Sequence, residues 1–470
     1  MPTNSQQVFA EINDSDLTLV SGDTAIITGV TTKYVVFTHS GLDLDKAIKL
    51  TKDGLTLQPG VYRSDADFEL VRVSETQSIL VIKEPGLLDF VLTGEVVAAP
   101  GFSAVVPHHL KKNILAAGAY GPRILDANGN FATWGAYNTV GWIGDGTVTN
   151  YVPAKTIVPP EPFVGIFSSG VAGFGLTATG VPYGWGSNGS YILNPESSVL
   201  PANVNQPSPV KLQPAHSTIR YTKIAGGSQH ALYLDTNGQV TAVGINTGGQ
   251  CGKITALSPV YGPNIVLTDV VDIAAANTVS LAIKANGDLY SWGKTVVGEL
   301  GSGVLSATVT TPTKVGEGFK EFLNFTSLTS TPGAIKLDGS IVMWGHNGFH
   351  NLQDGTITNS GTPTLMPSKY KDIRPGRCCF GQLHDNTWEV WGSGTSGLHG
   401  QNTTTLITVP QAVRDLDIVQ YLAATGTFSL GLKADGTTVV AGANNTGQFG
   451  MASPASSTKF IPVTNGSITI

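Results

Sequence analysis

The 470-residue sequence has three cysteines, few charged side chains and no long apolar run. Cys378 and Cys379 are adjacent and Cys251 stands alone, so the chain cannot build a disulfide framework. A bond between neighbouring cysteines would be strained. We therefore expect all three to be small, buried, apolar residues. Because no stretch of about 18 apolar residues occurs, we also expect no insertion into a membrane.

Charge is scarce and slightly acidic. Only 13% of the residues are charged, against roughly 25% in an ordinary soluble domain. The 27 Lys and Arg and 33 Asp and Glu leave a net charge of −6. Proteins that bind a phosphate backbone normally carry a basic patch, so the composition argues against nucleic acid as a partner. Apolar residues still make up 41% of the chain, which is ample for a folded core.

The first residues, MPTNSQQVFAEINDSD, contain neither a basic segment nor an apolar one. A secretory signal peptide needs both. We therefore expect a chain made in a cytoplasm that reaches any exterior location by another route.

Glycine is abundant, at 57 residues, and it marks an internal repeat of about 50 residues. Each of seven copies has a turn residue, followed five positions later by an aromatic or small apolar residue and then by glycine. The turn residues are Gly129, Gly180, Gly238, Gly287, Gly339, Asn386 and Gly436. The residues five positions later are Trp134, Trp185, Val243, Trp292, Trp344, Trp391 and Ala441.

The repeated phrase has the chemistry of a β-hairpin. Asn-Gly and Asp-Gly supply the positive φ that tight hairpin turns need, and the flanks, as in HALYLDTNGQVTAVG, are apolar on both faces. Small residues precede each hairpin, as in AGG (225–227) and AAA (274–276), which suits strands that converge on a common axis. Four short strands per repeat, arranged radially, describe a propeller blade. We therefore expect an all-β fold with a seven-bladed β-propeller over residues 105–470.

The segment IAGGSQHALYLDTNGQVTAVGINTGGQCG (224–252) resembles the regulator of chromosome condensation repeat family. The resemblance covers about residues 105–470 and implies a seven-bladed β-propeller. Kelch repeats have a similar length, but their paired glycine before spaced Tyr and Trp fits less well. The family histidine is present at His230 alone, so the resemblance is to a divergent member. The matching positions hold Gly121, Ala172, Val279, Thr331, Cys378 and Phe428.

Residues 1–104 do not follow the repeat. Short apolar segments such as TAIITG (24–29) and SILVIKEPG (78–86) are separated by turn signals, which predicts a small β-sandwich or barrel-like domain. One helical turn is expected near residues 42–50. The composition changes near residues 84–86 or 99–102, so we place the domain division at 104/105.

Three motifs resemble ligand sites, and each has a simpler interpretation. GSGTSG (392–397) matches G-x-G-x-x-G, but it lies in a blade loop without a following helix. DANGN (126–130) resembles the start of a calcium loop but lacks the later glycine and glutamate. His346, His350 and Asp354 are spaced as zinc ligands on a helix, yet nearby glycines predict a loop. We therefore expect no cofactor and no metal.

The sixth repeat carries the strongest candidate for a binding site. Arg374 stands where other repeats have a small residue, and Arg377 and His384 follow closely. A charged group among converging strands must either reach solvent or pair with a carboxylate, so we retain both a ligand contact and a structural ion pair. His108 and His109 are expected to be surface or packing residues. No known catalytic motif occurs, and we expect the chain not to be an enzyme.

The layout favours a virus-particle protein, namely a bacteriophage tail, baseplate or fibre component. In this hypothesis residues 1–104 attach to other virion proteins and the propeller binds a host receptor or glycan. Strand edges in the N-terminal domain are compatible with a homo-oligomer. The alternatives are a cytoplasmic or surface interaction propeller, guanine-nucleotide exchange as the family resemblance implies, and a propeller lyase.

Overall fold

The computed structural model divides the chain into two compact units, residues 1–109 and 110–470. The expected division at 104/105 and the two histidines at 108 and 109 lie outside the described residues. The structure describes residues 8–10, 17–18, 24–27, 34–38, 48–52, 55–57, 68–74, 77–82, 88–93, 114–118, 121–135, 138–149, 152–196, 200–201, 204–214, 216–253, 258–260, 262, 264–324, 330–414, 419–424, 426–433, 436–445, 447–450 and 456–463.

The described residues of the N-terminal unit form nine strands in two antiparallel sheets. They are β1 (Val8–Ala10), β2 (Leu17–Thr18), β3 (Thr24–Ile27), β4 (Tyr34–Thr38), β5 (Ile48–Lys52), β6 (Leu55–Leu57), β7 (Phe68–Ser74), β8 (Gln77–Ile82) and β9 (Leu88–Thr93). The sheet orders are β1-β4-β8-β7 and β2-β3-β9-β5-β6. The end of the segment expected to be helical is strand β5 instead. How the sheets pack, and hence the expected sandwich or barrel, lies outside the described residues.

The second unit is a ring of seven four-stranded antiparallel sheets, each built from four consecutive strands. Blade 1 has β10 (Leu115–Ala117), β11 (Pro122–Leu125), β12 (Phe131–Gly135) and β13 (Val152–Ile157); blade 2 has β14 (Phe163–Ser168), β15 (Ala172–Thr177), β16 (Pro182–Gly186) and β17 (Gln206–Lys211). Blade 3 has β18 (Tyr221–Gly226), β19 (His230–Asp235), β20 (Val240–Gly244) and β21 (Ile265–Leu267); blade 4 has β22 (Val270–Ala276), β23 (Val279–Lys284), β24 (Leu289–Thr295) and β25 (Ala307–Gly316). Blade 5 has β26 (Phe319–Phe322), β27 (Gly333–Lys336), β28 (Ile341–Gly345) and β29 (Ser360–Leu365). Blade 6 has β30 (Tyr370–Arg374), β31 (Cys378–Leu383), β32 (Trp388–Gly392) and β33 (Ile407–Ala412); blade 7 has β34 (Val419–Ala424), β35 (Phe428–Lys433), β36 (Thr438–Ala443) and β37 (Ser456–Pro462).

This architecture confirms the predicted all-β, seven-bladed propeller. Among the described residues the helical element is a single 3₁₀ turn, Thr395–Gly397. No helix in this part of the chain has the length and apolar character that crossing a membrane requires.

The antiparallel order gives the ring two different ends. We call "loop face" the end that carries the connections between the first and second strands and between the third and fourth strands of each blade. We call "turn face" the opposite end, which carries the hairpins between the second and third strands. The predicted turn residues occupy those hairpins, each with positive φ: Gly129, Gly180, Gly238, Gly287, Gly339, Asn386 and Gly436.

The apolar cores lie between neighbouring blades, and the repeated tryptophans join them. All five predicted tryptophans are fully buried. Each indole N–H donates to a backbone carbonyl in a loop of the preceding blade, so the link spans the blade boundary. The pairs are Trp185 to Trp142 (3.0 Å), Trp292 to Gln250 (2.9 Å), Trp344 to Glu299 (2.8 Å), Trp391 to Asn351 (3.1 Å) and Trp134 to Gln448 (2.7 Å).

Blade 3 makes the same link with a different residue. Its repeat position holds Val243, which has no polar hydrogen to donate. The hydroxyl of Tyr233, on the neighbouring strand β19, instead donates to the Ile192 carbonyl at 2.6 Å. Tyr233 is fully buried. The link between blades is therefore retained where the tryptophan is lost, which the repeat pattern did not reveal.

Small residues occupy the inner strands because these strands approach each other closely. A Cβ placed on Gly226 would lie 2.5 Å from the Ser168 carbonyl oxygen of the preceding blade. At Gly170 it would lie 2.8 Å from the Ser228 carbonyl oxygen. Both distances are too short for an unshifted carbon atom. The predicted crowding near the axis is thus confirmed.

The C-terminal strand completes the seventh blade. Strand β37 pairs antiparallel with β36, whereas blade 1 is formed by residues 115–157. Residues 459–463 therefore finish blade 7 and do not form an outer strand of blade 1. The boundary of blades 7 and 1 is closed by side-chain packing, with Phe428, Leu430 and Phe449 against Trp134 and Ile124, together with the Trp134 hydrogen bond.

Candidate interaction face

The three residues predicted as a binding site do not lie together. Arg374 ends strand β30 and Arg377 lies in the following connection, so both are near the loop face. His384 follows strand β31 on the turn face. Six residues of extended strand separate the two ends by about 20 Å. The near neighbours in sequence are therefore on opposite faces of the ring.

Arg374 forms a structural ion pair. Its side chain is almost entirely buried, and Nη2 lies 2.8 Å from Oδ2 of Asp372 on the same strand. Pairing with a carboxylate is one of the two arrangements that allow a guanidinium to occupy this position. Arg374 is thus positioned to stabilise the inner strand of blade 6 rather than to meet solvent.

Arg377 has a different environment, because its side chain is exposed. Its guanidinium carbon lies 5.3 Å from the centroid of the Phe349 ring, and Nη1 donates to the Gly426 carbonyl at 3.4 Å. Phe349 in turn contacts His346, with 5.2 Å between ring centroids. These contacts join a loop of blade 5 to the connections of blades 6 and 7. Arg377 is therefore held in place while it remains accessible.

His346 is partly buried in this cluster. Burial lowers the pKa of its imidazole, a hydrogen bond with Asn351 opposes that effect, and the positive charge of Arg377 lowers the pKa further. The imidazole is therefore neutral at neutral pH and acts as a packing surface for Phe349.

The acidic residues of the two motifs that resemble metal sites form hydrogen bonds within their own loops. The Asp354 carboxylate accepts hydrogen bonds from Asn347 and Thr356. The Asp126 carboxylate accepts from the backbone amides of Asn128 and Asn130, which makes DANGN a hairpin turn. The described residues contain no cluster of three or more potential metal-ligating side chains. GSGTSG runs from the end of strand β32 into the short 3₁₀ turn, as expected of a blade loop.

The cysteines and the family histidine point into the blades. All three cysteines are free and buried, as predicted. Burial raises the pKa of the Cys251 and Cys378 thiols to about 12 and that of Cys379 to about 11. These thiols are therefore protonated at neutral pH and are poor nucleophiles.

His230 links blade 3 to blade 4. Its Nε2 lies 2.9 Å from the Ser280 hydroxyl, which donates to the Gln250 carbonyl at 2.8 Å. Because that hydroxyl proton is engaged, Nε2 must carry the imidazole proton and donate it to Ser280. Nδ1 is left as a buried acceptor without a partner in the described part of the chain. Burial lowers the pKa of His230 to about 4.

An asparagine shapes most of the loops on the loop face, and the sequence analysis missed it. Its side-chain carbonyl accepts a hydrogen bond from the backbone amide five residues later, at 2.9 to 3.2 Å. The residues are Asn138, Asn188, Asn246, Asn347 and Asn444. In blade 4 the Glu299 carboxylate accepts instead from the amides of residues 296 and 297. The available signal was Gly-x-Asn, which follows the tryptophan position in four of these five repeats, whereas Asn138 stands one residue later.

Both faces of the ring expose aliphatic side chains. On the loop face, connections in blades 1, 2, 4, 5 and 6 expose Val148, Val204, Val296, Val304, Leu305, Ile357 and Leu406, with 43 to 62% of their surface exposed. At the turn face Val158, Leu337 and Leu365 are 77, 65 and 67% exposed. The loop face has in addition the accessible Arg377 packed on Phe349. A face that combines an arginine, an aromatic ring and exposed aliphatic side chains has the composition of a protein interface.

Comparison with known proteins agrees with the repeat pattern. The model of the Regulator of chromosome condensation (RCC1) repeat matches residues 221–250. The mitochondrial RCC1 domain-containing protein RUG3 of Arabidopsis thaliana is 30% identical over 167 residues, which is 35% of this chain and 36% of that protein. The human E3 ubiquitin-protein ligase HERC2 is 25% identical over 253 residues, which is 51% of this chain and 5% of that protein. The matches thus cover well under half the length of these relatives.

Two solved structures share the fold. Human WBSCR16 aligns with a TM-score of 0.60 and 18% identity, covering 71% of this chain and 93% of that one. Prp20p from Saccharomyces cerevisiae aligns with a TM-score of 0.57 and 20% identity, covering 68% of this chain and 82% of that one. The chain is therefore a seven-bladed propeller whose repeats are similar to those of the regulator of chromosome condensation type.

Proposed function

We propose that the ring is a non-enzymatic protein-interaction module that binds its partner through the loop face. The observation that carries this proposal is the exposed Arg377, which the Phe349 ring of the Arg377–Phe349–His346 cluster holds on the loop face. Five blades expose aliphatic side chains on the same face. Apolar contacts around an accessible arginine match the composition of protein interfaces, in which arginine and aromatic residues are enriched.

The relatives support binding as the general role. Propellers of this repeat type mediate protein–protein interaction, and the yeast propeller Prp20p has binding properties towards Gsp1p and histones. In the present chain, His230 and the three thiols are buried between blades, which is where structural groups lie and where a substrate would not reach them. These observations favour binding over catalysis.

The identity of the partner stays a hypothesis. One hypothesis is a virus-particle protein in which residues 1–104 attach to the particle and the ring binds a host receptor or glycan. Mass spectrometry of purified virus particles tests it by searching for this chain. Guanine-nucleotide exchange and lyase activity likewise stay alternatives from the sequence.

The loop-face proposal is tested by capture with matched surface variants. Ile357→Asp and Leu406→Asp place a charge among the aliphatic residues of the loop face. Leu337→Asp makes the same change at a side chain 65% exposed on the turn face and is the control. Quantitative mass spectrometry of proteins captured from the native host should show one set that the control retains and both loop-face variants lose. A set retained by all three variants would contradict the proposal.

A further inference from the structure

Arg377 is a positioned cation that has no carboxylate partner among the described residues. The Phe349 ring supports one face of its guanidinium, and the Gly426 carbonyl accepts from Nη1. Asp354, in the blade 5 loop that also carries Phe349, is already engaged by Asn347 and Thr356. Most donors of the guanidinium therefore face solvent from a fixed position.

Two lysines on the turn face, unlike Arg377, are paired with carboxylates of the chain. Lys314 lies 2.6 Å from Asp288, and Lys369 lies 2.6 Å from Glu389. These pairs satisfy the ammonium groups within the chain. A planar guanidinium supported by an aromatic ring is preorganised for two parallel hydrogen bonds to a carboxylate. Because its side chain is already held, Arg377 loses little conformational freedom when such a group binds.

The surroundings of Arg377 indicate which molecule carries that carboxylate. The backbone of Leu406 lies about two strand spacings, roughly 10 Å, from that of Arg377, because Cys378 pairs with Gly392 and Gly392 with Ile407. Ile357 lies in the blade 5 loop whose Gln353 side chain donates to the Thr408 carbonyl at 3.5 Å. Leu406 and Ile357 are 43 and 62% exposed. A protein segment can place an acidic side chain on the arginine and an apolar one on these residues. A nucleic-acid backbone would instead require a series of cations, and the chain has a net charge of −6.

We propose that Arg377 anchors a partner protein through an Asp or Glu side chain, with an aliphatic or aromatic residue beside it packing on Ile357 and Leu406. The inference rests on the proposed function, since it names the partner chemistry of the same face. The acidic side chain replaces solvent at the exposed guanidinium donors, while Phe349 keeps the guanidinium plane in place.

The test is selection of random dodecapeptides by display on the full-length chain, followed by affinity measurements on variants. Enriched peptides should contain Asp or Glu next to a large apolar residue. Arg377→Gln should weaken their binding on the order of 10- to 100-fold, the range for a hydrogen bond to a charged group. Arg377→Lys retains the charge but not the planar donors, so its affinity for the peptides should lie between those of the unmodified chain and of Arg377→Gln.

The matched control is Lys336→Gln. Lys336 is another cation placed over an aromatic ring, 5.5 Å from the centroid of Phe319, but it lies on the turn face. This variant should bind the selected peptides as the unmodified chain does. Ile357→Asp reports separately on the apolar part of the site and should also weaken binding.

The outcomes separate the two proposals. Peptides that lose affinity for Ile357→Asp but not for Arg377→Gln would leave the loop-face proposal standing and overturn the carboxylate anchor. Peptides insensitive to both variants would overturn both proposals. Enrichment without acidic residues, no enrichment at all, or Arg377-dependent binding of a 20-nucleotide single-stranded DNA would each reject the anchor.

Discussion

Replacing two hairpin glycines, Gly129 and Gly339, by alanine measures how tightly neighbouring blades are packed. Gly129 and Gly339 occupy the same position in their repeats and have nearly the same φ, +80° and +83°. A Cβ on Gly129 would lie 2.6 Å from Cβ of Pro162 and 2.8 Å from the Phe163 amide nitrogen of blade 2. A Cβ on Gly339 would have no heavy atom within 4 Å. Alanine therefore causes the same backbone strain at both positions, but only at position 129 does its Cβ clash with the next blade.

The expected costs follow from these distances. Alanine in the left-handed region costs about 1–2 kcal/mol, which is the whole expected loss for Gly339→Ala. Gly129→Ala adds the overpacking of a filled interface, about 1–3 kcal/mol. It also disturbs the hydrogen bond from the Phe163 amide to the Gly129 carbonyl, 2.9 Å long, worth roughly 1 kcal/mol. We expect a total loss of about 3–6 kcal/mol for Gly129→Ala.

Urea unfolding followed by tryptophan fluorescence measures both variants under one set of conditions. Replacing glycine by alanine also reduces the entropy of the unfolded chain, but that effect is equal in the two variants and cancels in their difference. The midpoint should fall clearly further for Gly129→Ala. Equal midpoints, or a larger loss for Gly339→Ala, would refute the argument that close packing of blades 1 and 2 requires glycine at this turn.

Four further changes test other contacts. Trp344→Ala should lower the free energy of unfolding by about 3–5 kcal/mol through the cavity and the lost link between blades, whereas unchanged urea unfolding would show that the tryptophan does not join the blades. Tyr233→Phe removes one hydroxyl and leaves the Ile192 carbonyl unpaired, so chemical unfolding should show a loss of about 1–3 kcal/mol. Because the pKa of His230 is about 4 in the folded ring and about 6.5 in the unfolded chain, the unfolded state binds the proton more tightly. The contribution of His230 to stability should therefore be full above pH 6.5 and decline by about 3 kcal/mol as the pH falls to 4. Thermal melts at several pH values should show that His230→Gln lacks this part of the decline. Deleting residues 456–470 removes strand β37 and exposes the edge of blade 7, so calorimetry should show a substantially lower melting temperature, and an unchanged one would mean that this strand does not stabilise the ring.

The repeat made the architecture predictable. One hydrogen bond between blades, that of Tyr233, comes from a position outside the repeat pattern. Turn residues, paired strands and the tryptophan position recur at fixed spacing, so each copy supported the others. Tyr233 broke the pattern because its hydroxyl reaches the required carbonyl from a neighbouring strand. The loop asparagines could have been predicted from the sequence, since four of the five recur as Gly-x-Asn.

The candidate site shows what the sequence alone determined and what required the tertiary structure. The unusual charge of the sixth repeat, carried by Arg374 and Arg377, is visible in the sequence. Which of them is accessible was decided by the strand direction and by Asp372, Phe349 and Gly426, which come from three blades. Short-range pattern determines secondary structure because hairpin hydrogen bonds join residues close in sequence. Side-chain partners across blades are separated by tens of residues, so only the closed ring brings them together.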